Sequence, residues 1–76
     1  MIEVRSLKEL KRIVRELSEE MKCGDEVKVK LLISPNELLV NIPRLALANN
    51  LSIIDIEECR GGYIVCIVKR FGRGCR

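Results

Sequence analysis

The sequence has no histidine and no tryptophan, and only one tyrosine and one phenylalanine stand among its 76 residues. Histidine is the commonest metal ligand and the usual general base at neutral pH, so its absence counts against metal binding and against acid–base catalysis. The scarcity of aromatic rings counts against a protein that stacks nucleic-acid bases. None of these chemistries is a first expectation for this chain.

Cysteine pairs with metal-ligand spacing are missing as well. The four cysteines are Cys23, Cys59, Cys66 and Cys75. No two of them form the C-x-x-C pair that a structural zinc site usually contains. Cys66 stands in an apolar segment, where a cysteine is most often a small buried hydrophobe. We predict no metal, no cofactor and no catalytic residue, and an enzymatic function is the less favoured one.

Long apolar runs are also absent, and none approaches the roughly 18 residues that a membrane span requires. The opening stretch, "MIEVRSLKEL", carries charges where a signal peptide would be apolar. Hydrophobic residues make up 47% of the chain and charged residues 33%, which is typical of a globular protein. We expect one small cytoplasmic domain without membrane contact, covering residues 1–70 and followed by a short basic tail at 71–76.

The net charge of +3 is unevenly distributed. Residues 1–59 hold nine Lys or Arg against eleven Asp or Glu, whereas residues 60–76 hold five basic residues and no acid. A basic tail can contact an anion or nucleic acid, although it can also be a merely solvated terminus. The candidate contacts with an anion or with nucleic acid are Lys28, Lys30, Lys69, Arg70, Arg73 and Arg76.

The first half of the chain predicts a strand, a helix and a strand. Residues 2–5 form a short strand, and Ser6 with Glu9 three positions later is the pattern of a capping box. The apolar residues that follow recur at spacings of three and four, as far as a natural helix end at Gly24. Residues 25–33 then alternate as a strand with one polar side that carries Lys28 and Lys30.

The second half predicts a helix and a hairpin. Ser34 followed by Pro35 indicates another capped helix start, and Asn49 or Asn50 can close that helix. Pro43 lies inside the helix and lacks an N–H group, so we expect it to divide the helix into an opening turn and a main segment. Residues 51–59 and 63–70 are two strands joined by a tight turn at "RGG".

The predicted order is therefore β-α-β-α-β-β. Right-handed crossovers place both helices on one face of a mixed sheet, which gives a two-layer α/β sandwich with one open face. The last strand is apolar on both sides, as expected for a central strand. We expect Val65 and Ile67 to lie on the open face, where they would suit a weak homodimer or a partner protein.

Three segments together resemble the TusA/SirA-like family of small sulfur-carrier proteins. They are "MKCGDEVKVKLLISP", "NIPRLALANNLSIIDIEE" and "YIVCIVKR", and the resemblance spans roughly residues 2–70. The matching features are Gly24-Asp25, Pro35, the Ile42-Pro43 step and Lys69-Arg70. The resemblance implies a four-stranded sheet in the order 1-2-4-3.

The family's sulfur-carrying motif does not carry over. Its members hold Cys-Pro-x-Pro where the first strand meets the first helix, and the helix N-terminus stabilises the thiolate. The corresponding positions here are Leu7-Lys8-Glu9-Leu10, which contain neither cysteine nor proline. We expect Leu7 and Leu10 to be structural. Persulfide carriage is therefore doubtful, and we expect a non-catalytic or regulatory protein that acts on an unidentified partner protein. The alternative is a small nucleic-acid-binding module that uses Lys28, Lys30 and the basic tail.

Cys23 has two competing interpretations. It could be a relocated sulfur-carrying thiol, although the end of a helix disfavours a thiolate. Alternatively, the strand order that the resemblance implies brings Cys23 close to the tail, so a disulfide with Cys75 can form there. Four free thiols with a disordered tail remain the other outcome. The absence of glutamine and the high charge favour a thermophilic source, in which an intracellular disulfide would not be unusual.

Overall fold

The chain alternates strands and helices in the predicted order. A computed structural model describes residues 1–70 and Cys75, with the backbone alone at Leu38 and Leu39; residues 71–74 and 76, which include Arg73 and Arg76 of the predicted tail, lie outside the described residues. The elements are β1 (Ile2–Val4), α1 (Leu7–Glu20), β2 (Glu26–Leu31), α2 (Pro35–Ala48), β3 (Leu51–Cys59) and β4 (Gly62–Lys69).

The four strands form one mixed sheet in the order β1-β2-β4-β3. β1 pairs with β2 in parallel, whereas β4 pairs antiparallel with both β2 and β3. Both helices cover the same face, so the domain is a two-layer α/β sandwich. The predicted fold class and strand order are confirmed.

The hydrophobic core lies between the two helices and the two central strands. α1 contributes the buried residues of its apolar stripe, and β2 contributes Val29 and Leu31. Val29 pairs with Val65, and Val27 pairs with Ile67, so these β4 residues share the covered face. The α1 residues are Leu10, Ile13, Val14 and Leu17.

The expected open-face position of Val65 and Ile67 is therefore wrong. Val65 is 0% exposed and Ile67 is 3% exposed, and both belong to the core. Because β4 is apolar on both sides, its own alternation does not indicate which side faces the helices. A homodimer through Val65 and Ile67 is excluded, since a second copy cannot reach them.

α1 begins as its capping box predicts and ends earlier than expected. The backbone N–H of Glu9 donates to Oγ of Ser6 over 3.2 Å. The helix stops at Glu20 with Met21 as its C-cap, and Met21 remains buried. Gly24 does adopt a left-handed conformation, with φ of +95°, but it does so in the following turn and does not cap the helix.

α2 is a continuous helix, so the expected division at Pro43 is wrong. Pro43 stands inside the helix and removes the N–H that would bond to the carbonyl of residue 39. Pro43 itself is exposed, which lets water solvate that side of the helix. Ser34 is the N-cap but its side chain makes no capping hydrogen bond, and Asn50 takes the left-handed conformation after the helix end.

The sandwich has two distinct ends. At the hairpin end both helices begin, and the β3–β4 turn lies beside them at residues 60–61. At the disulfide end both helices finish, together with the 22–25 turn, Lys69 and Cys75. This alternation of chain direction follows directly from the β-α-β-α-β-β order.

Candidate functional site

The start of α1, where the sulfur-carrier family has its cysteine, is part of the structural framework here. Leu10 is buried, and Leu7 is half-buried and packs against the core. Lys8 is exposed, and Glu9 serves the helix cap through its backbone. The predicted structural role of Leu7 and Leu10 is confirmed, and no thiol stands at this helix start.

Cys23 is joined to Cys75 by a disulfide that closes a loop across 52 positions. The Cα atoms are 5.3 Å apart, a usual separation for a bridge. In this state Cys23 has no free thiol, so sulfur carriage at this residue would first require reduction of the bridge. The free cysteines of the described residues are Cys59, which is half-buried, and Cys66, which is buried.

Backbone hydrogen bonds hold the 22–25 turn against the end of β4. The N–H of Gly24 donates to the carbonyl of Lys69 over 2.8 Å, and the N–H of Lys69 donates to the carbonyl of Asp25 over 3.1 Å. The Asp25 carboxylate accepts from the backbone N–H of Lys22 over 2.9 Å. These hydrogen bonds fix the turn that places Cys23 beside Cys75.

Lys69 is not a surface contact for an anion, contrary to the sequence-based expectation. Its side chain is only 6% exposed, and Nζ donates to the Ser18 carbonyl over 2.8 Å. Ser18 lies in the last turn of α1, where carbonyls lack helical partners and the helix dipole favours a cation. The Ser18 hydroxyl in turn donates to the Asn49 carbonyl at the end of α2 over 2.6 Å. Lys69 therefore ties β4 to the ends of both helices.

The remaining predicted basic contacts do not gather into one patch among the described residues. Lys28 is exposed and Lys30 half-buried, and both lie on the open face of the sheet, whereas Arg70 is an exposed residue just after β4. Asp55 and Glu57 of β3 share that open face with the two lysines. The face therefore carries charges of both signs.

An apolar surface that the sequence patterns did not single out runs between α2 and β3. On α2, Val40 is 59% exposed and Leu47 is 66% exposed, and Ile56 of β3, which lines a groove together with Leu47, is exposed as well. This groove lies between the two elements, and its lining residues are Pro43, Ala46, Leu47, Leu51, Ser52, Ile53 and Ile56. Val40, Pro43 and Leu47 recur at helical spacing away from the core residues Ile42 and Ala46, so this stripe could have been recognised.

β3 borders that groove as an edge strand. It is nine residues long, whereas the other edge strand, β1, has three. Its pairing with β4 contains a register shift between Ile53 and Asp55, which is typical of a β-bulge. Acidic side chains follow the shift at Asp55, Glu57 and Glu58 and are exposed. The edge therefore presents free backbone groups, apolar side chains and negative charge together.

A shallow pocket at the hairpin end contains the half-buried Cys59. Its other lining residues include Ile33, Pro35, Glu58 and Tyr63. Within residues 1–70 and Cys75, no group of three or more cysteine and acidic side chains stands close enough to hold a metal ion. In the same described part of the chain, no helix has the length and apolar character needed to cross a membrane.

Comparisons with known proteins leave the family open. No protein-family model, no curated protein and no solved structure matches this chain.

Proposed function

We propose that this chain is a non-catalytic protein of the TusA/SirA-like type that acts by binding a partner protein. The observation that carries the proposal is the outer edge of β3, which pairs with no other strand among the described residues and lies beside the exposed apolar groove of α2. Support also comes from the start of α1, where Leu7 replaces the sulfur-carrying cysteine and packs against the core. Because Leu7 has a structural role, the remaining surface favours binding over sulfur carriage as the activity.

The partner element that fits this surface is an extended, basic peptide segment. An extended segment can add to a sheet edge through main-chain hydrogen bonds, while alternate side chains enter pockets beside the edge. The groove next to β3 offers apolar contacts from Pro43, Leu47 and Ile56. The exposed carboxylates of Asp55 and Glu57 favour lysine or arginine on the segment.

The bulge limits where such a segment can pair. Regular pairing of β3 with β4 resumes at Asp55 and continues to Cys59, so the outer side of this stretch is the best template for an added strand. The same acidic side chains oppose pairing of β3 with β3 of another copy, because like charges would meet. The edge is therefore selective for a foreign basic strand over a second copy.

Selection from a displayed library of short random peptides tests the proposal. We expect the enriched peptides to alternate apolar with basic residues and to slow hydrogen exchange of those amides between Asp55 and Cys59 that point away from β4. The double variant Leu47→Lys/Ile56→Lys should bind these peptides at least tenfold more weakly. Lys11→Glu/Arg15→Glu, which changes exposed residues on α1, is the control and should bind as the wild type does.

Two results would contradict this site. Peptides that bind the Leu47→Lys/Ile56→Lys variant as tightly as the wild type would place binding elsewhere. Enriched peptides without excess positive charge would remove the role of Asp55 and Glu57.

Sulfur transfer gives a separate test of the non-catalytic assignment. The oxidised and the reduced protein are each incubated with one equivalent of a persulfide donor and analysed by peptide mass spectrometry. We expect no stoichiometric gain of a sulfur atom at Cys23 or at Cys59. A persulfide on either cysteine that passes to an acceptor thiol would overturn the assignment.

The nucleic-acid alternative has less support. It was based on Lys28, Lys30, Lys69 and the tail, but Lys69 is engaged with Ser18, and acidic residues share the face with the other two lysines. Titration with mixed DNA and RNA at two salt concentrations should show weak binding or none. Tight binding that falls steeply with added salt would revive this alternative.

A further inference from the structure

The open face of the sheet carries its charges in ordered rows. The pairing of β2 with β4 and of β4 with β3 puts Lys28, Cys66 and Asp55 side by side in one row. The next row contains Lys30, Ile64 and Glu57. Each row therefore runs from a base on β2, through an apolar residue on β4, to an acid on β3.

None of these four charged side chains is neutralised within the described part of the chain. The one salt bridge there joins Arg5 to Glu3. Within a row, the base and the acid stand two strand spacings apart, about 9.6 Å between backbones. The base and the acid of one row thus remain available to charges on another molecule.

A two-fold axis parallel to β4 makes this face complementary to itself. Rotation by 180° about such an axis places β4 over β4 of the second copy. It also places β2 of each copy over β3 of the other. Lys28 then faces Asp55 of the second copy, and Lys30 faces its Glu57. An axis across the strands would instead bring lysines against lysines. Closed two-fold contacts of this kind are the commonest in protein oligomers.

We propose that two copies of this chain associate face to face through the open sheet, with β4 on the two-fold axis. Sheets packed face to face lie about 10 Å apart at about 30° to each other, so a lysine can reach a carboxylate across the gap. At the centre of this face, on β4, Ile64 is half-buried whereas Cys66 and Val68 are buried, so the charged rows carry most of the contact. This proposal shares Asp55 and Glu57 with the β3 edge but adds Lys28 and Lys30 of β2, and it does not rest on the proposed function.

The dimer is expected to be weak. A face of four strands and about five residues in height covers roughly 300 Å² in projection. Two such faces amount to roughly 600 Å², which is below the size of a standard specific interface and fits only a weak, transient contact. We therefore expect dissociation in the micromolar range and weaker association as the salt concentration rises.

Charge reversal tests the arrangement by sedimentation. The variants Lys28→Glu/Lys30→Glu and Asp55→Lys/Glu57→Lys each set like charges against like charges, so each alone should be monomeric where the wild type dimerises. The control Lys11→Glu/Arg15→Glu makes the same change in net charge as Lys28→Glu/Lys30→Glu, but on the exposed side of α1, and should dimerise normally. Circular dichroism checks that every variant retains the native fold.

Mixing the two reversed variants gives the decisive result. In the mixture each glutamate pair of one variant faces the lysine pair of the other, so a heterodimer should form with at least tenfold tighter association than either variant alone shows. A single chain with all four substitutions should dimerise again for the same reason. If either double variant fails to fold, the chain with all four substitutions still tests the arrangement.

Crosslinking supplies an independent measurement. The axis along β4 brings Lys28 opposite Asp55 of the second copy, so a carbodiimide, which joins an amine to a carboxylate, should link these two side chains between copies, and Lys28→Glu/Lys30→Glu should remove the link. A wild type that stays monomeric at high concentration would overturn the proposal, as would a dimer that survives both reversals or a mixture that does not associate. Tight binding of mixed nucleic acid that Lys28→Glu/Lys30→Glu abolishes would assign the face to that ligand instead.

Discussion

The two ends of this sandwich are held together by different means. At the disulfide end, a covalent bond, a buried lysine and reciprocal backbone hydrogen bonds join five separate segments. At the hairpin end, close backbone approach takes the place of such links, since Gly62 lies directly against the Leu31 carbonyl. Both helices finish at the first end and begin at the second. At the disulfide end, the last carbonyl groups of the helices lack helical partners and can accept a hydrogen bond from a lysine. The helix starts at the hairpin end leave N–H groups without helical partners, to which a lysine cannot donate.

Removal of the disulfide should lower the free energy of unfolding more than any single substitution at either end of the sandwich. Cys23→Ser/Cys75→Ser opens a loop that spans 52 positions, and the chain-entropy model gives a loss of about 4 kcal/mol in the free energy of unfolding. Guanidinium denaturation of the oxidised protein and the variant measures it. Cys59→Ser is the control and should change little. If wild type and variant were equally stable, the disulfide would only join two segments that other contacts already hold together.

Gly62→Ala should weaken the hairpin end nearly as much. A Cβ at this position would overlap the backbone carbonyl oxygen of Leu31, which cannot move without disturbing the β2–β4 pairing. We expect a loss of about 3 kcal/mol by thermal denaturation. Gly24→Ala at the other end meets no atom within 4 Å and strains only its left-handed backbone, so it should lose about 1 kcal/mol. A larger loss of stability in Gly24→Ala than in Gly62→Ala would show that the left-handed backbone at Gly24 matters more than the close contact at Gly62.

Lys69→Met isolates the polar contact at the disulfide end. The methionine keeps the apolar stem but removes the amino group that donates to the Ser18 carbonyl. We expect the free energy of unfolding to fall by about 1.5 kcal/mol. Arg70→Met, the exposed neighbour, should stay within about 0.5 kcal/mol of the wild type. An unchanged stability in Lys69→Met would mean that desolvation of the ammonium group offsets its hydrogen bond.

The two helix starts should give the smallest effect and a clear contrast. Ser6→Ala removes a side chain that accepts from the Glu9 N–H, and it should cost about 1 kcal/mol. Ser34 makes no such bond, so Ser34→Ala should cost only a few tenths of a kcal/mol. Equal losses at the two serines, measured in the same urea titration, would show that the cap of α2 forms in solution.

Sequence patterns predicted those elements whose signals are local. The capping box at Ser6 and the alternation of β2 were sufficient to place α1 and the polar side of the sheet. The same patterns do not show which side of β4 faces the helices, because both sides of this strand are apolar. Its register against Val29 decides the matter, and register is a long-range property.

The two errors about single residues have related causes. The basic composition of residues 60–76 predicts Lys69 as a surface charge, yet Lys69 alternates with Val65 and Ile67 and therefore points to the helices with them. Its direction followed from the face assignment, so one error produced the other. Pro43 was expected to divide α2 because the rule considers only the lost hydrogen bond. Solvent beside an exposed proline reduces the effect of that loss, and sequence alone does not reveal that exposure.

The bridge between Cys23 and Cys75 also determines how the molecule responds to mechanical tension. When the chain is pulled at residues 1 and 76, force bypasses everything between the two cysteines. Only the first 22 residues can then extend, by roughly 75 Å at about 3.5 Å per residue. β1 and α1 would peel away while β2, α2, β3 and β4 stay enclosed in the loop. After reduction the whole chain would bear the load, so optical tweezers would record an extension more than three times as long.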